Sequence, residues 1–392
     1  MDLSAPDRAQ VVTEWLLKEG RHAPDRRELL QAFCEKLVEV GVPLARATTH
    51  ARTLHPQFRW FTHLWRRGSA AEEIRRPHGG EDALAVPTNV VRYVLDSDQW
   101  LDCRLDDPLA ERFPLLRELR QEGYTHFVMA PFRFSNYGLG AVSWASDAPE
   151  GFAPEQVLLL RQVADAFLAV FEAKGLRRVL SELLATYVGH DPARQILAGT
   201  VQRGDVRRLR AAIMLTDLRG FGHLSDTLPE ERVVKLLNEH FDCIVPQVLA
   251  EGGEVLKFIG DGVLAVFDQH QAEKMPSDAA YRAARAALAA LEARNRAGGF
   301  DGIQLRIGIA LHCGEVAYGN IGSEDRLDFT AIGRDVNIAS RLERLCEPMD
   351  RTLLMTGEFV SDLTAPTLEL GHFVFKGFKQ HEAVYGIPDE SD

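Results

Sequence analysis

The stretch VLKFIGDGVLAVF, Val255–Phe267, constrains this chain more than any other. Two apolar runs flank an Ile-Gly-Asp-Gly turn, a pattern that reads as two strands folded back on each other. Lys257 interrupts the first run and Asp261 stands at the tip. A hairpin apolar along both arms is buried, and buried positions rarely hold a charge without a partner or a function. Both charged residues therefore need a chemical reason.

The surrounding sequence supplies layers for such a hairpin to pack in. RAAIMLTDL reads as a strand, EERVVKLLNEHFDCIVPQVLAE as an amphipathic helix, and DAAYRAARAALAALEARNRA as an Ala-rich helix ended by Gly298. LRIGIALHCGEVAYGNI reads as strand, turn and strand, DVNIASRLERLC as a helix, and short strands close the chain. Alternating strands and helices make a mixed α/β layer pattern. The strand AIMLTDL ends in Asp217 and runs into a Gly-containing turn, RGFGHLS, whose backbone N–H groups can face a phosphate. Asp217 and Asp261 each lie at the end of neighbouring strands, and two carboxylates meeting there suit hard divalent cations bound through oxygen.

Four separated motifs then occur in order: LTDLRGFGHLSD, GGEVLKFIGDGVLAVF, LRIGIALHCGEVAYGNIGSEDRLDFTAIG and DVNIASRLE. Together they resemble the catalytic domain of class III adenylate and guanylate cyclases over residues 206–388. The resemblance implies an α+β chain whose C-terminal part is a ferredoxin-like palm, working as a homodimer with sites shared between subunits. It implies that Asp217 and Asp261, with Leu218 beside them, hold two Mg²⁺ or Mn²⁺ ions per site, and that Gly220 and Phe221 line the substrate phosphates. Lys257 and Thr330 match the pair that reads the purine, Asn337 and Arg341 the residues that orient the ribose and stabilise the transition-state phosphate. Arg306 matches an arginine near the terminal phosphates, and Lys379 in FKGFKQHEAVYGI stands about one residue from the family's phosphate-contacting lysine. Two departures stand out: Gly222 where Thr is usual, and Arg334 with Asp335 where small residues are usual.

Complementarity distinguishes the base. Adenine offers an acceptor at N1 and a donor at N6; lysine only donates, and a threonine hydroxyl can accept. Lys257 and Thr330 therefore suit ATP, and the implied activity is conversion of ATP to 3′,5′-cyclic AMP and pyrophosphate. A guanylate cyclase making cGMP, and a catalytically silent ligand-sensing signalling module, are the alternatives.

The N-terminal half differs in kind. All five tryptophans fall in it, at Trp15, Trp60, Trp65, Trp100 and Trp144. RRELLQAFCEKLVEV is helical, FRWFTHLW, THFVMAPFRF and GLGAVSWAS are strand-like, and residues 66–80, rich in charge, Gly and Pro, read as a loop. A long helix opens at Pro154, with Leu160, Val163, Phe167, Val170 and Phe171 at helical spacing. This order resembles a GAF-type α/β sensory domain, expected over residues 1–174 and bound to an unknown small-molecule or protein signal. A helical linker is expected over 175–205, after a possible break at Gly175, with the catalytic domain over 206–388. Leu176, Val179, Leu180, Leu183 and Tyr187 form a stripe close to heptad spacing, as in a dimer helix or a helix packed on its own domain. His50, His55, His63 and His78 show no metal-binding spacing and read as solvent or loop residues.

The net charge of −12 argues against a nucleic-acid partner. Every apolar window is interrupted by charge, as by Arg161 and Asp165 in VLLLRQVADAFLAVF, so no membrane span is expected. Five scattered cysteines without a paired motif fit a reducing, cytoplasmic compartment.

Overall fold

A computed structural model of the protein describes residues 5–79, 88–135, 138–268, 275–378 and 381–388. It divides into two compact units, Met1–Leu183 and Leu184–Asp392.

The first unit runs α1 (Ala5–Lys18), α2 (Arg26–Glu39), β1 (Arg46–Arg52), β2 (Phe58–Arg66), β3 (Glu72–Pro77), α3 (Val90–Ser97), β4 (Leu101–Arg104), α4 (Pro114–Gln121), β5 (His126–Arg133), β6 (Leu139–Ser146) and α5 (Pro154–Val188), the last continuing beyond the unit's end. Its six strands form one antiparallel sheet in the order β3-β2-β1-β6-β5-β4. Strand β5, between β6 and the edge strand β4, shows why both faces are covered. Val128, Ala130 and Phe132 join α1, α2 and α5 in one apolar core, whereas Phe127 and Met129 join α3 and α4 in another. Successive side chains on a strand point to opposite faces, so a run apolar at every position must be covered on both. Polar caps set the helix starts: the Asp25 carboxylate accepts from Glu28 N–H, and the Asn89 side chain accepts from Val91 and Arg92 N–H.

Three sequence expectations fail here. The segment read as a loop contains β3, an edge strand whose six residues are almost all exposed, so no apolar alternation marked it. Helix α5 runs through Gly175 without a break. A Cβ there would fall 1.7 Å from an Arg26 guanidinium nitrogen, so glycine is required by that side chain rather than by a turn. The histidines are not all solvent or loop residues: His63 is fully buried in β2, between the Thr49 hydroxyl and the Glu73 carboxylate, and His50 on β1 bonds Thr48 and Thr62.

The second unit runs α6 (His190–Leu197), β7 (Val206–Leu218), α7 (Phe221–Thr227), α8 (Glu230–Ala250), β8 (Glu254–Ile259), β9 (Gly262–Asp268), α9 (Pro276–Arg296), β10 (Ile307–Gly322), β11 (Leu327–Ile332), α10 (Arg334–Glu343), β12 (Leu353–Thr356), α11 (Gly357–Val360), β13 (Leu368–Val374) and β14 (His381–Gly386). The sheet order is β13-β14-β12-β10-β7-β9-β8, with β11 paired to the far end of β10. The antiparallel set β10-β7-β9-β8, with α8 joining β7 to β8 and α9 joining β9 to β10, is the ferredoxin-like palm that the motifs imply.

Alternation along β7 again builds the layers. Ala212 and Met214 face the helical core, and Ala211 and Ile213 face the opposite side with Val316 and Phe329. On α9, Ala279, Ala280, Ala283, Ala284 and Ala287 recur at helical spacing, and their small side chains let the helix lie close on the sheet. Within the stretch expected as a linker, α6 places buried Asp191 2.9 Å from the Tyr318 hydroxyl, which donates to it. Among the described residues no helix is long and apolar enough to cross a membrane.

Candidate active site

The strands β7 and β9 end where their aspartates meet. Asp217 is the penultimate residue of β7, paired with Gly308 of β10, and Asp261 occupies the two-residue turn between β8 and β9. The Leu218 N–H donates to Asp261 Oδ2 over 3.0 Å, which ties the hairpin tip to the end of β7. Gly262 permits this approach, since a Cβ there would lie 2.4 Å from the Thr216 carbonyl. Burial, then the negative charge of Asp261 beside it, pushes the Asp217 carboxyl up to about 6. Asp217 is exposed at the strand end and Asp261 partly buried; two carboxylates in mutual contact are a setting that a divalent cation satisfies. The residues present fit such an ion. No cluster of three ligating side chains occurs among the described residues, but Mg²⁺ characteristically takes only one or two carboxylates and completes its shell with water and substrate phosphate.

Two residues that sequence reasoning passed over support this pair. His240 of α8 is fully buried, and its Nε2 lies 3.3 Å from the Asp261 carbonyl. Burial holds its pKa down to about 4, so the ring is neutral and Nε2–H donates. Glu343, the last residue of α10, is pushed up to about 7 by burial and then by the charge of Asp217. It lay inside a quoted motif, but nothing in the local pattern showed that α10 returns to the aspartates.

Gly220, with a left-handed backbone at φ +69°, and Phe221 open α7 directly after Asp217 and Leu218. Arg306 precedes β10 at the same end, its carbonyl accepting from Arg219 N–H. Its guanidinium donates to Asp350 at 2.5 Å, and Arg219 donates to the same oxygen at 3.0 Å. Arg306 first, then Arg219, holds the exposed Asp350 carboxyl below its ordinary range.

The expected base-reading pair lies elsewhere. Lys257 on β8 donates from Nζ to Asp328 of β11 over 2.5 Å. Thr330 lies two residues on from Asp328, hence on the same face of β11. Thr330 is 4% exposed, yet its hydroxyl takes no partner among the described residues. Sequence reasoning missed Asp328, whose only signal was its two-residue offset from Thr330.

Asn337 and Arg341, one turn apart on α10, share one helix face. At about 100° per residue, Glu343 is turned some 200° from Arg341, so α10 presents different chemistry on two sides. Neither the Asn337 nor the Arg341 side chain takes a hydrogen-bond or ion-pair partner among the described residues. Lys379 lies outside the described residues.

Register places these residues along β10. Asp217 stands opposite Gly308, and Thr330 opposite Gly319, on the same continuous strand β10. Eleven residues of strand separate them, a contour of roughly 35 Å at about 3.3 Å per residue, although β11 curls back far enough for Asp328 to reach Lys257 on β8. The aspartate pair and Thr330 thus lie at opposite ends of β10.

Residues 207–385 match the family model described as "Adenylate and Guanylate cyclase catalytic domain". Among curated relatives, adenylate cyclase 1 of Rhizobium meliloti (strain 1021) is 35% identical over 157 residues, covering 39% of this chain and 23% of that one. An adenylate cyclase of Anabaena cylindrica is 30% identical over 171 residues, covering 42% of this chain and 33% of that one. The chain thus spans about a quarter to a third of the length of these relatives. Among solved structures, the adenylyl cyclase CyaB from P. aeruginosa is 27% identical, covers 48% of this chain and 97% of that one, and superposes with a TM-score of 0.44.

Proposed function

We propose that this chain, whose residues 207–385 belong to the adenylate and guanylate cyclase catalytic-domain family, converts ATP to 3′,5′-cyclic AMP and pyrophosphate as a homodimer. The observation that carries the choice of ATP is the buried, unpartnered Thr330 hydroxyl on the strand face that also holds Lys257 through Asp328. A buried hydroxyl without a partner is costly, and the exocyclic amine of adenine would supply a donor to it. The Lys257 ammonium would donate to adenine N1; guanine presents a donor at N1 and would oppose it.

Divalent cations, Mg²⁺ or Mn²⁺, when held by Asp217 and Asp261, would lower the pKa of the ribose 3′-hydroxyl and offset charge on the phosphates. The chain's own groups do the remaining work. The N–H groups at Gly220 and Phe221 would face phosphate oxygens, and Arg306 would leave Asp350 to meet the terminal phosphates. Asn337 would hold the ribose so that its 3′-oxygen attacks the α-phosphorus in line, and Arg341 would neutralise charge growing on the α-phosphate as pyrophosphate leaves. No side-chain nucleophile is required.

Homodimerisation is supported by the match to the cyclase catalytic-domain family. One subunit's aspartates would meet the other's Lys257, Thr330, Asn337 and Arg341. Exposed apolar residues offer a surface for it: Phe258 and Ile259 at the β8–β9 tip, each 52% exposed, and Leu176, Leu180 and Tyr187 along α5. The first unit, read as a GAF-like sensory domain, would regulate turnover through α5. Five buried free cysteines fit the cytoplasm, where ATP is also supplied.

The test is product analysis of the purified full chain with ATP or GTP and Mg²⁺ or Mn²⁺. Cyclic AMP with pyrophosphate is expected. Predominant cyclic GMP would overturn the adenine reading, and no product from either nucleotide would leave a silent signalling module.

A further inference from the structure

Among the described residues of the first unit, Arg26 is a buried cation with no carboxylate in ion-pair contact, although the charges of Glu172 and Glu73 act on it from farther away. Arg26, at the start of α2, is 8% exposed. Its Nε donates to the Phe171 carbonyl at 2.9 Å, and its guanidinium lies over the rings of Phe171 and Phe134, 4.3 and 5.1 Å from their centroids. No carboxylate reaches it within ion-pair distance among the described residues. Burial, followed by the neighbouring Arg178 charge, depresses its pKa to about 10, so it stays charged at neutral pH. A buried guanidinium held only by one carbonyl and two rings is costly unless an anion completes it.

Arg26 lines a cavity of about 300 Å³, the lower end of the range for small-molecule sites. Its other walls include Arg52 at the end of β1, Phe134 after β5, and Glu172, Leu176 and Val179 on α5. Arg52 is exposed and adds a second positive charge. Phe134, Leu176 and Val179 form an apolar wall. Glu172, which accepts from the backbone N–H and hydroxyl of Ser135, adds one negative charge. Such a lining favours a single negative charge on an apolar body and disfavours polyanions such as phosphate or nucleotides.

We propose that this cavity binds a small organic monocarboxylate, its carboxylate on Arg26 and Arg52 and its apolar body against Phe134, Leu176 and Val179. An arginine fork suits a carboxylate through paired hydrogen bonds. Four of the cavity's residues, Glu172, Gly175, Leu176 and Val179, belong to α5, so occupancy would bear directly on the helix that continues to Val188. The inference stands on the first unit alone and does not depend on the cyclase reading.

The test is calorimetric titration of the full chain with hexanoate, 3-phenylpropionate and indole-3-acetate, with inorganic phosphate and 3-phenylpropanamide as controls. At least one monocarboxylate should bind saturably, and the neutral amide and phosphate should bind at least about tenfold more weakly, the loss expected for a missing charge-assisted hydrogen bond. Arg26→Met should weaken binding by a similar factor. Val179→Trp, at a half-exposed position, fills the cavity while keeping Arg26, and should also abolish binding if Arg26→Met fails to fold. Absence of saturable binding by all three acids, equal binding of the amide, or undiminished binding in folded Val179→Trp would overturn the proposal.

Discussion

The ammonium of Lys257 lies 2.5 Å from a carboxylate oxygen of Asp328, a residue on a different strand and two positions before Thr330. The pair pins a flexible lysine on the β11 face that carries the unpartnered hydroxyl. Both partners are partly exposed, so the ion pair itself contributes little stability, at most about 1 kcal/mol. Its role would be positional. Asp328→Asn should raise KM for ATP about fivefold and narrow the preference over GTP, with kcat and melting temperature nearly unchanged. Kinetics on both nucleotides would check this, and an unaltered KM with unaltered preference would mean that Lys257 is placed by other contacts.

If active sites lie between subunits, Asp217→Ala and Asn337→Ala should each be nearly inactive alone. In a heterodimer of the two, one site collects both lesions and the other collects neither. Activity should return to as much as about half of wild type per dimer, by two-fold symmetry. Co-expression with different tags, isolation of the mixed dimer and measurement of cyclic nucleotide would read this out. A mixed dimer as inactive as its parents contradicts a shared site.

The carboxylate pair should trade metal-free stability for function. Folding raises the Asp217 pKa from 3.8 to about 6, so its favourable contribution is present below about pH 4 and is lost as pH rises through about 6. Asp217→Asn does not titrate there. In chelator, the melting temperature of wild type relative to this variant should fall between pH 4 and 6 and stay low above that. Adding Mn²⁺ at pH 7.5 should raise the wild-type melting temperature and leave the variant's almost unchanged. An equal response of both proteins to Mn²⁺ would place the ion elsewhere.

Asp191 and Tyr318 should fasten α6 to the second unit's sheet. Burial alone would raise the Asp191 pKa, but hydrogen bonds from Arg194, Tyr318 and Gln195 outweigh it and leave the carboxyl below its ordinary range. A depressed folded pKa contributes stability above the unfolded value and loses it as pH falls through the folded one. Tyr318→Phe should therefore cost about 1–2 kcal/mol at pH 7, and the deficit should shrink below about pH 4. Urea unfolding across that range checks both statements; an acid-independent deficit would point to packing of the ring instead.

The sequence alone determined the elements whose burial repeats with the backbone's own period. The alternation in RAAIMLTDL, the apolar second arm of the Ile-Gly-Asp-Gly hairpin and the alanines of α9 each specify a strand or helix that is buried, whereas the first arm, β8, buries only Leu256 and leaves Phe258 and Ile259 exposed. The positions of Asp217 and Asp261 at strand ends were equally readable, because turn chemistry is local. Only the tertiary structure decided the rest. β3 pairs along an exposed edge and buries almost nothing, so no periodicity announced it. Gly175 continues a helix because a guanidinium from α2 fills the space of its missing Cβ. Lys257 meets Asp328 through the placement of β11, and the register of β10 sets Asp217 and Thr330 at opposite ends of one strand. Pattern records how each segment meets its own core; which distant side chains then share a space is decided by packing, a sum over contacts that no local window contains.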